Sequence, residues 1–476
     1  MKVPDSLLFS IFQRQDARIR QEIARKTIEI ATGRRIHNIS DDPPATLKVL
    51  NLKKEIAQLS QFSRNRLFAD VNLTYTDMVL GKMADRVKEV YTKVVQAKNE
   101  IHTEDSLKAL GVEIREALDF LLDMANEKVG DNYIFSGTAL TTKPFNGSLT
   151  YMGSEETFRV QIGEGNFVPV FRPGGEVFST NVYELDTLYA SPDASLGASG
   201  TLTVSYDSTT FTVDYGDGVW YLTVKVGDPD APLSAYGVGG DLLLDGNVQI
   251  ADIGSYSLND LVNAVNSDPD FAGANITATL VANPDGTYTL KLVDSDGGNT
   301  LEDTDRRIKE ANTPANLVDV FNTLSPPDLR AYLHRKPDGR YTLRLIPENL
   351  STALSLSFSG TALGSFYTLN VFQIVDEVGR KLREGLSPDE SDLKGVQRSY
   401  DKIASERSET GSVLSQVKSL EDVQENRMDS LRKQKSDEED AELSESIMEY
   451  TRYRIAYEAL MRIVADTRDM TILRYI

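Results

Sequence analysis

The sequence predicts a mainly α-helical chain with a β insertion: a helical coiled-coil rod formed by the N- and C-terminal regions, carrying an inserted β-rich outer domain that contains two helix–hairpin units. Three observations lead there. Apolar residues recur three and four apart from Ser6 to about Val129 and again from about Phe366 onward. Between them, over about 138–365, Gly and Pro become frequent while Thr, Val and Tyr alternate with polar residues in short runs. Within that middle, the block PDGxYTLxL occurs twice, in Ala282–Leu292 and in Arg335–Leu345.

In the N-terminal arm, Leu73, Leu80, Val87, Val94 and Ile101 stand seven apart, with Ala84 and Tyr91 at intermediate positions. Such a seam buries one face of a helix against another and predicts a coiled coil. A second run, Leu107, Leu110, Ile114, Ala117, Leu121 and Met124, follows a helix start at Thr103 to Asp105. The C-terminal arm repeats the pattern at Leu393, Val396, Tyr400, Ile403, Arg407, Thr410, Leu414 and Val417, then shifts phase toward Leu420, Val423, Arg427 and Leu431. A last helix carries Tyr453, Ala456, Leu460, Ile463, Thr467 and Met470 on one stripe.

In the middle, Pro-Asp-Gly supplies a fixed φ followed by a residue tolerant of positive φ, and each copy follows an alternating strand, ITATLV or LRAYLH. Helical patterns lie upstream, SLNDLVNAVN and ANLVDVFNTL, so a helix followed by a hairpin occurs twice. Related strands are expected at GTLTVSY and around Trp220. The resulting division is 1–40 terminal assembly helix, 41–137 N-terminal arm, 138–365 β-rich domain, 366–435 C-terminal arm and 436–476 terminal assembly helix.

Composition narrows the function. The 476 residues carry a net charge of −21, and 138–365 alone hold 13 Lys and Arg against 29 Asp and Glu. That field repels phosphate backbones, so nucleic acid is not an expected partner. There is no cysteine, which removes disulfides and thiolate chemistry. The N-terminal apolar run, Leu7 to Phe12, is too short for a cleaved secretory signal, and nothing approaches the roughly 18 apolar residues of a membrane span. Export, if it occurs, is expected to use another route.

Catalytic equipment is sparse. The histidines are His37, His102 and His334, and no paired zinc spacing can be built from their neighbours. Phosphate-loop, dinucleotide and nucleophile-elbow motifs are absent, so no catalytic residue, metal or cofactor is expected and the chain is read as no enzyme. Asp294 to Asp305 has the acidity of a calcium loop but places Asn299 where the sixth-position Gly belongs and Asp305 where the closing Glu belongs. A solvated loop is the expectation, with calcium left open. On the terminal helices, Ile19, Ile23, Ile30, Ala456, Leu460, Ile463, Val464 and Ile472 form apolar stripes too large for one helix pair to cover and are expected to meet neighbouring subunits.

The stretch ATGRRIHNISDDPPATLKVL, residues 31–50, resembles the N-terminal motif of the flagellin superfamily, in which a long helix ends, turns through Asp-Asp-Pro and re-enters a coiled coil. The match covers Thr32, Gly33, Arg35, Ile36, Asp41, Asp42 and Pro43, and departs at His37, where the family usually has Asn. DNYIFSGTALTTKPF is similar to the junction-subunit form through Tyr133, Phe135, Ser136, Gly137 and Thr138. SDEEDAELSESIMEYTRYRIAYEALMRI and the final ILRYI are similar to the family's acidic turn and closing helix. The resemblance spans about 1–145 and 366–476, and SLNDLVNAVN with its hairpin is similar to the flagellin hook IN motif.

This resemblance implies a structural subunit of the bacterial flagellum at the hook–filament junction. It implies self-association in a ring, hook-associated protein 1 and flagellin as neighbours, and an export chaperone at the C-terminal helix. It also implies cytoplasmic synthesis, export unfolded through the flagellar type III channel and an extracellular destination, without membrane insertion. The alternatives are a flagellin filament subunit and, in another class, an adhesin acting through the β domain. Within the turn, Gly33 is expected to end the first helix, Ser40 or Asp41 to cap the next, Pro43 and Pro44 to open it, and Arg35 to pair with a carboxylate locally or on a neighbour. His37 would make the turn sensitive to pH.

Overall fold

The computed structural model describes residues 5–99, 102–197, 199–206, 209–348, 355–359 and 363–472. Its helices are α1 (Asp5–Thr32), α2 (Pro43–Asn99), α3 (Glu104–Ala125), α4 (Gly174–Val177), α5 (Leu258–Ser267), α6 (Pro269–Gly273), α7 (Pro314–Leu324), α8 (Val371–Arg383), α9 (Glu390–Glu439) and α10 (Leu443–Ile472). Two compact units result: Met1–Asp70 with Val160–Val168 and Ser415–Ile476, and Val71–Arg159 with Pro169–Leu414.

In the first unit, the early part of α2 and the late part of α9 run antiparallel. Arg66 donates to Gln424 Oε1 at 3.3 Å and meets Glu421 at 3.1 Å. The buried row on α9 is Val417, Gln424, Met428 and Leu431, whereas Val423 is 62% exposed. This corrects the expected phase shift through Val423 and Arg427. Gln424 turns inward because its amide finds partners there, donating to the carbonyl of Ile162 at 2.5 Å as well as accepting from Arg66. A polar side chain that satisfies its hydrogen bonds can hold a core position that hydropathy alone assigns to valine.

In the second unit, the N-cap Thr103 accepts from the Ser106 amide, which starts α3 where the sequence places a helix boundary. Leu73, Leu80, Val87 and Val94 are buried as the heptad predicts, while Ile101 lies outside the described residues. Helix α3 turns Leu107, Gly111, Ile114, Ala117, Leu118 and Leu121 inward, and α8 packs against it, Gly379 and Arg383 standing against Gly111 and Ile114. A reciprocal capping box, Asn370 with Gln373, begins α8. On α9 the row runs through Glu406 rather than the expected Arg407, because Arg172 reaches Glu406 at 2.5 Å while Arg407 reaches Asp77 at 3.2 Å.

Both helix–hairpin units are present. The first is α5 with α6 and the strands Ile276–Ala282 and Tyr288–Asp294, paired in register from Ile276 opposite Asp294 to Ala282 opposite Tyr288. The second is α7 with Leu329–Arg335 and Tyr341–Pro347, from Leu329 opposite Pro347 to Arg335 opposite Tyr341. Strands from elsewhere complete each antiparallel sheet: Val219–Leu222 and Ile308–Glu310 for the first, Ser179–Leu185 and Phe366–Asn370 for the second. The Trp220 strand thus joins the first sheet. The GTLTVSY strand pairs with Thr209–Tyr215 and Ser355–Ser359 in a third.

One signal of the duplication was missed in the sequence. Near the end of each helix an Asn clamps the backbone of the first hairpin strand: Asn266 accepts from Ala278 N at 2.8 Å and donates to its carbonyl at 2.9 Å, and Asn322 does the same to Ala331 at 2.8 and 2.9 Å. A two-point bond fixes the helix over the hairpin as packing alone does not. The cores beneath are separate, Trp220, Leu261, Val265, Phe271 and Leu292 in one, Phe211, Tyr215, Leu317, Phe321 and Leu345 in the other.

Many of the domain's acidic residues hold loops together. Asp294 accepts from the amides of Asp296, Gly298 and Asn299 at 2.9 to 3.0 Å and from the Asn299 side chain at 2.9 Å. Burial pushes its carboxyl up, but the Asn299 and Asp296 donors outweigh this and hold it below its ordinary value. This corrects the solvated-loop reading of 294–305 in part: Asp294 is buried and engaged by the chain itself, Leu301–Asp303 is a strand paired with Leu242–Leu244, and the exposed loop is Ser295–Gly298.

Candidate functional site

The turn between α1 and α2 brings together the residues singled out in ATGRRIHNISDDPP. Thr32 is the last residue of α1, and Gly33 follows at φ +69 with its amide donating to Glu29 O at 2.8 Å. That left-handed residue ends the helix. Arg34 then forms an antiparallel bridge with Asp440, as Arg35 N donates to Glu439 O at 2.8 Å and Ala441 N to Gly33 O at 2.9 Å. The acidic turn between α9 and α10 is thus the direct partner of the Gly-Arg-Arg turn, across some 400 residues of sequence, a separation on which sequence spacing is silent.

Side chains tighten this joint. Arg35 reaches the Asp42 carboxylate at 3.0 Å and the Glu438 carbonyl at 3.1 Å, so its carboxylate partner is the local one. Asp42, rather than Ser40 or Asp41, caps α2 by accepting from Ala45 N at 3.1 Å. Pro43 and Pro44 occupy the first two helical positions, where a missing N–H costs nothing. Asp41 instead closes the turn, accepting from Asn38 N at 2.7 Å and His37 N at 3.0 Å. His37 Nε2 lies 2.6 Å from Thr32 Oγ1, and Ile36 packs on Ala45 and Val49.

The backbone amides of Asn38 and His37 hold the Asp41 carboxyl below its ordinary value, and Ala45 N with Arg35 does the same for Asp42. Both folded values lie below the unfolded ones, so the turn's electrostatic stabilisation is present above the ordinary carboxylate range and is lost as pH falls through the folded values. On the partner turn, burial pushes Glu439 up, but Lys53 at 2.8 Å and Lys435 at 3.3 Å outweigh it. Replacing Asp42 by Ala is expected to fray the first turn of α2, raising amide exchange at Ala45 and Thr46 several-fold while α9 stays protected. Unchanged exchange there would show that the prolines alone start the helix.

Helices α1 and α10 form an antiparallel pair, marked by the Arg20 guanidinium over Tyr457 at 5.5 Å and by Lys26 with Glu449 at 2.7 Å. The half-buried rows are Ile19, Ile23 and Ile30 on one and Tyr453, Tyr457, Leu460 and Val464 on the other. Ala456 and Ile463 are exposed, and the side chain of Ile472 lies outside the described residues. Ile11, Ile28, Ile447, Met448, Ile455 and Met461 also face outward, forming an apolar surface beyond the sequence-named stripe.

The Tyr133–Thr138 segment lies in the second unit. Phe135 is buried and meets Phe178 edge-on at 4.9 Å; Phe178, Phe145 and Phe372 complete the aromatic cluster. Ser136 bridges Pro173, Thr138 N donates to Glu156 O at 3.0 Å, and Lys128 lies over the Tyr133 ring at 4.3 Å. Side chains at Gly137 are excluded, since a Cβ would stand 2.4 Å from Ser154 O.

Residues 9–139 match the family described as the bacterial flagellin N-terminal helical region. The N-terminal region is thus similar to that of bacterial flagellins. The chain is 29% identical over 169 residues to flagellar hook-associated protein 3 of Escherichia coli, covering 35% of this chain and 52% of that protein. It is 22% identical over 279 residues to a flagellin of Aquifex aeolicus, covering 58% of this chain and 50% of that protein. The chain thus spans about half the length of the curated relatives it matches. A crystal structure of flagellar hook-associated protein 3 from Legionella pneumophila is similar at 16% identity and a TM-score of 0.42, covering 81% of this chain and 97% of that one. No described helix is long and apolar enough to cross a membrane.

Proposed function

We propose that this chain is the structural subunit joining the hook-side junction ring to the flagellin filament. The observation that carries the reading is the joint between the Thr32–Pro43 turn and the acidic turn at Glu438–Ala441, because it ties the two chain ends into one paired-helix body. Similarity to hook-associated protein 3 supports it. The outward apolar residues of α1 and α10, together with Ala456 and Ile463, meet neighbouring copies, hook-associated protein 1 and flagellin. Burying a side chain such as Ile28 or Ile455 in such a contact is worth roughly 1.5–3 kcal/mol. The same surface, before assembly, is the natural site for an export chaperone, and the subunit travels from the cytoplasm to the hook–filament junction through the type III channel.

The regions 1–40 and 436–476 act in assembly, 41–137 and 366–435 as arms, and 138–365 as the outer domain. No step requires bond chemistry. A strain lacking the protein is expected to keep its hooks and to shed flagellin into the medium; attached filaments of normal length would overturn the reading. The longer match to a flagellin favours the filament subunit as second reading. Seeded purified protein that grew into long filaments would support that reading instead.

A further inference from the structure

A group of charged side chains, buried except for the half-buried Lys336 and Asp389, lies where the second hairpin meets α8 and the start of α9. Glu184 comes from strand Ser179–Leu185, His334, Lys336 and Arg344 from the hairpin, Glu377 and Lys381 from α8, and Asp389 and Asp392 from the first turn of α9 and its cap. Arg344 is fully buried, binding Glu184 Oε2 at 2.7 Å and also Glu377. Lys381, likewise buried, reaches Asp389 and Asp392 at 2.6 Å each. Lys336 pairs with Glu377 at 2.7 Å and also with Glu184, and the Tyr367 hydroxyl donates to Glu184 at 2.5 Å.

These carboxylates can approach one another only because cations stand between them. The same oxygens, with His334, are spaced closely enough for a metal ion, but the guanidinium and ammonium groups occupy that role. Four carboxylates face three permanent cations, Lys336, Arg344 and Lys381. The group is electrically balanced only with one further positive charge, and an unbalanced buried charge is costly.

His334 is placed to supply it. Its Nδ1 lies 2.7 Å from Ser391 Oγ and 3.1 Å from Asp389 Oδ2, and 3.6 Å from Asp392. The Ser391 hydroxyl already donates to Asp389 Oδ1 at 2.6 Å, so towards Nδ1 it can only accept. Nε2 faces Glu377 Oε1 at 3.2 Å. Both atoms are buried without a well-aligned hydrogen bond, although Lys336 forms its ion pair with that oxygen. Acceptors therefore stand at both ring nitrogens, and a neutral imidazole carries one N–H for two of them.

We propose that His334 is held as a buried imidazolium and acts as a pH-sensitive latch, whose loss of a proton on the alkaline side releases the hairpin Leu329–Pro347 from α8 and the start of α9. Burial and the Arg344 guanidinium push the His334 value down, but Asp389, Glu377 and Asp392 outweigh them and the net direction is up. For a histidine raised above its unfolded value, the stabilisation is fully present below the unfolded value and is lost as pH rises through the folded one. Glu377 and Asp389 move the other way: burial pushes each up, but Arg344 with His334 for the first, and His334 with Lys381 for the second, hold both well below the carboxylate range. Their contribution is present above the unfolded carboxylate value and is lost in acid. The latch holds between these limits.

The second hairpin contrasts internally with the first. The turn-flanking strand of the first unit has Leu280 and Val281 where the second has Leu333 and His334, so the first hairpin serves as a control in the same molecule. The test uses the full chain. Long-range 1H–15N spectra follow the rings of the three histidines across pH, His334 being assigned by its loss in His334→Gln. The expected midpoint lies above that of a histidine peptide in the same buffer, and Asp389→Asn, which restores balance with a neutral ring and keeps a capping side chain, moves it down. In parallel, amide opening at 329–347, corrected for intrinsic exchange, is expected to rise about tenfold per pH unit across the window while 276–294 does not change. A midpoint at or below the peptide's, or identical pH dependence of the two hairpins, would overturn the latch. If His334→Gln does not fold, assignment by Asp389→Asn shifts and the wild-type hairpin comparison still decide it.

Discussion

Replacing Phe178 by Ala is expected to loosen the segment that carries the junction-type motif, at a cost of about 3–5 kcal/mol. The ring is fully buried and stands 4.9 Å from Phe135, 5.6 Å from Phe145 and 5.0 Å from Phe372, at steep mutual angles. Its removal leaves three aromatic neighbours facing a void too well supported by backbone bonds to collapse: Gly174 N to Phe135 O at 2.8 Å and Val371 N to Phe178 O at 3.0 Å hold the walls in place. Hydrogen exchange should therefore accelerate together in 133–138 and at the start of α8, while the first helix–hairpin unit, with its separate core, stays protected. Unaltered exchange in 133–138 would mean that the aromatic cluster does not hold the motif.

Substituting Gly111 by Val should separate α3 from α8. A Cβ at Gly111 would lie 2.8 Å from Arg383 N and 2.9 Å from Gly379 O, both backbone atoms, as well as 2.7 Å from Arg383 Cγ. A flexible side chain could move aside, but a helix backbone can yield only by shifting the whole of α8. Overpacking of this kind costs about 1–3 kcal/mol and more where backbone must move, and the branched Val adds a helix penalty of its own. The expected readout is faster exchange along both helices. Val112, the next residue, is 51% exposed, so Val112→Ala supplies a control expected to change stability by less than about 0.5 kcal/mol. Equal effects of the two substitutions would refute the close crossing.

Periodic burial was legible wherever one apolar face met one neighbour. Leu73, Leu80, Val87 and Val94 are core residues as their spacing predicts, Thr103 starts a helix, and both Pro-Asp-Gly blocks close hairpins. Legibility failed where a polar side chain took the inward position. Gln424 and Glu406 displace Val423 and Arg407 from the buried row, since the energy of a position depends on partners that come from distant residues, Arg66 and Ile162 for one and Arg172 for the other. The Asn266 and Asn322 clamps escaped for the same reason: each reads as an ordinary polar residue until its strand is placed beside it.

Local chemistry thus settled most of the elements and the duplication, because helix period, turn residues and contiguous motifs act over a few residues of chain. Pairing across long separations was a matter for tertiary structure alone. That Arg35 turns to Asp42 while its backbone pairs with Glu439, that Asp42 rather than Asp41 caps α2, and that His334 sits among four carboxylates follow from which segments meet. The stretch read as a helix–turn motif is a joint with the distant acidic turn, and the histidine read as a strand residue stands among buried charged side chains. Electrostatic energy depends on distance and burial, and neither is written in the order of residues.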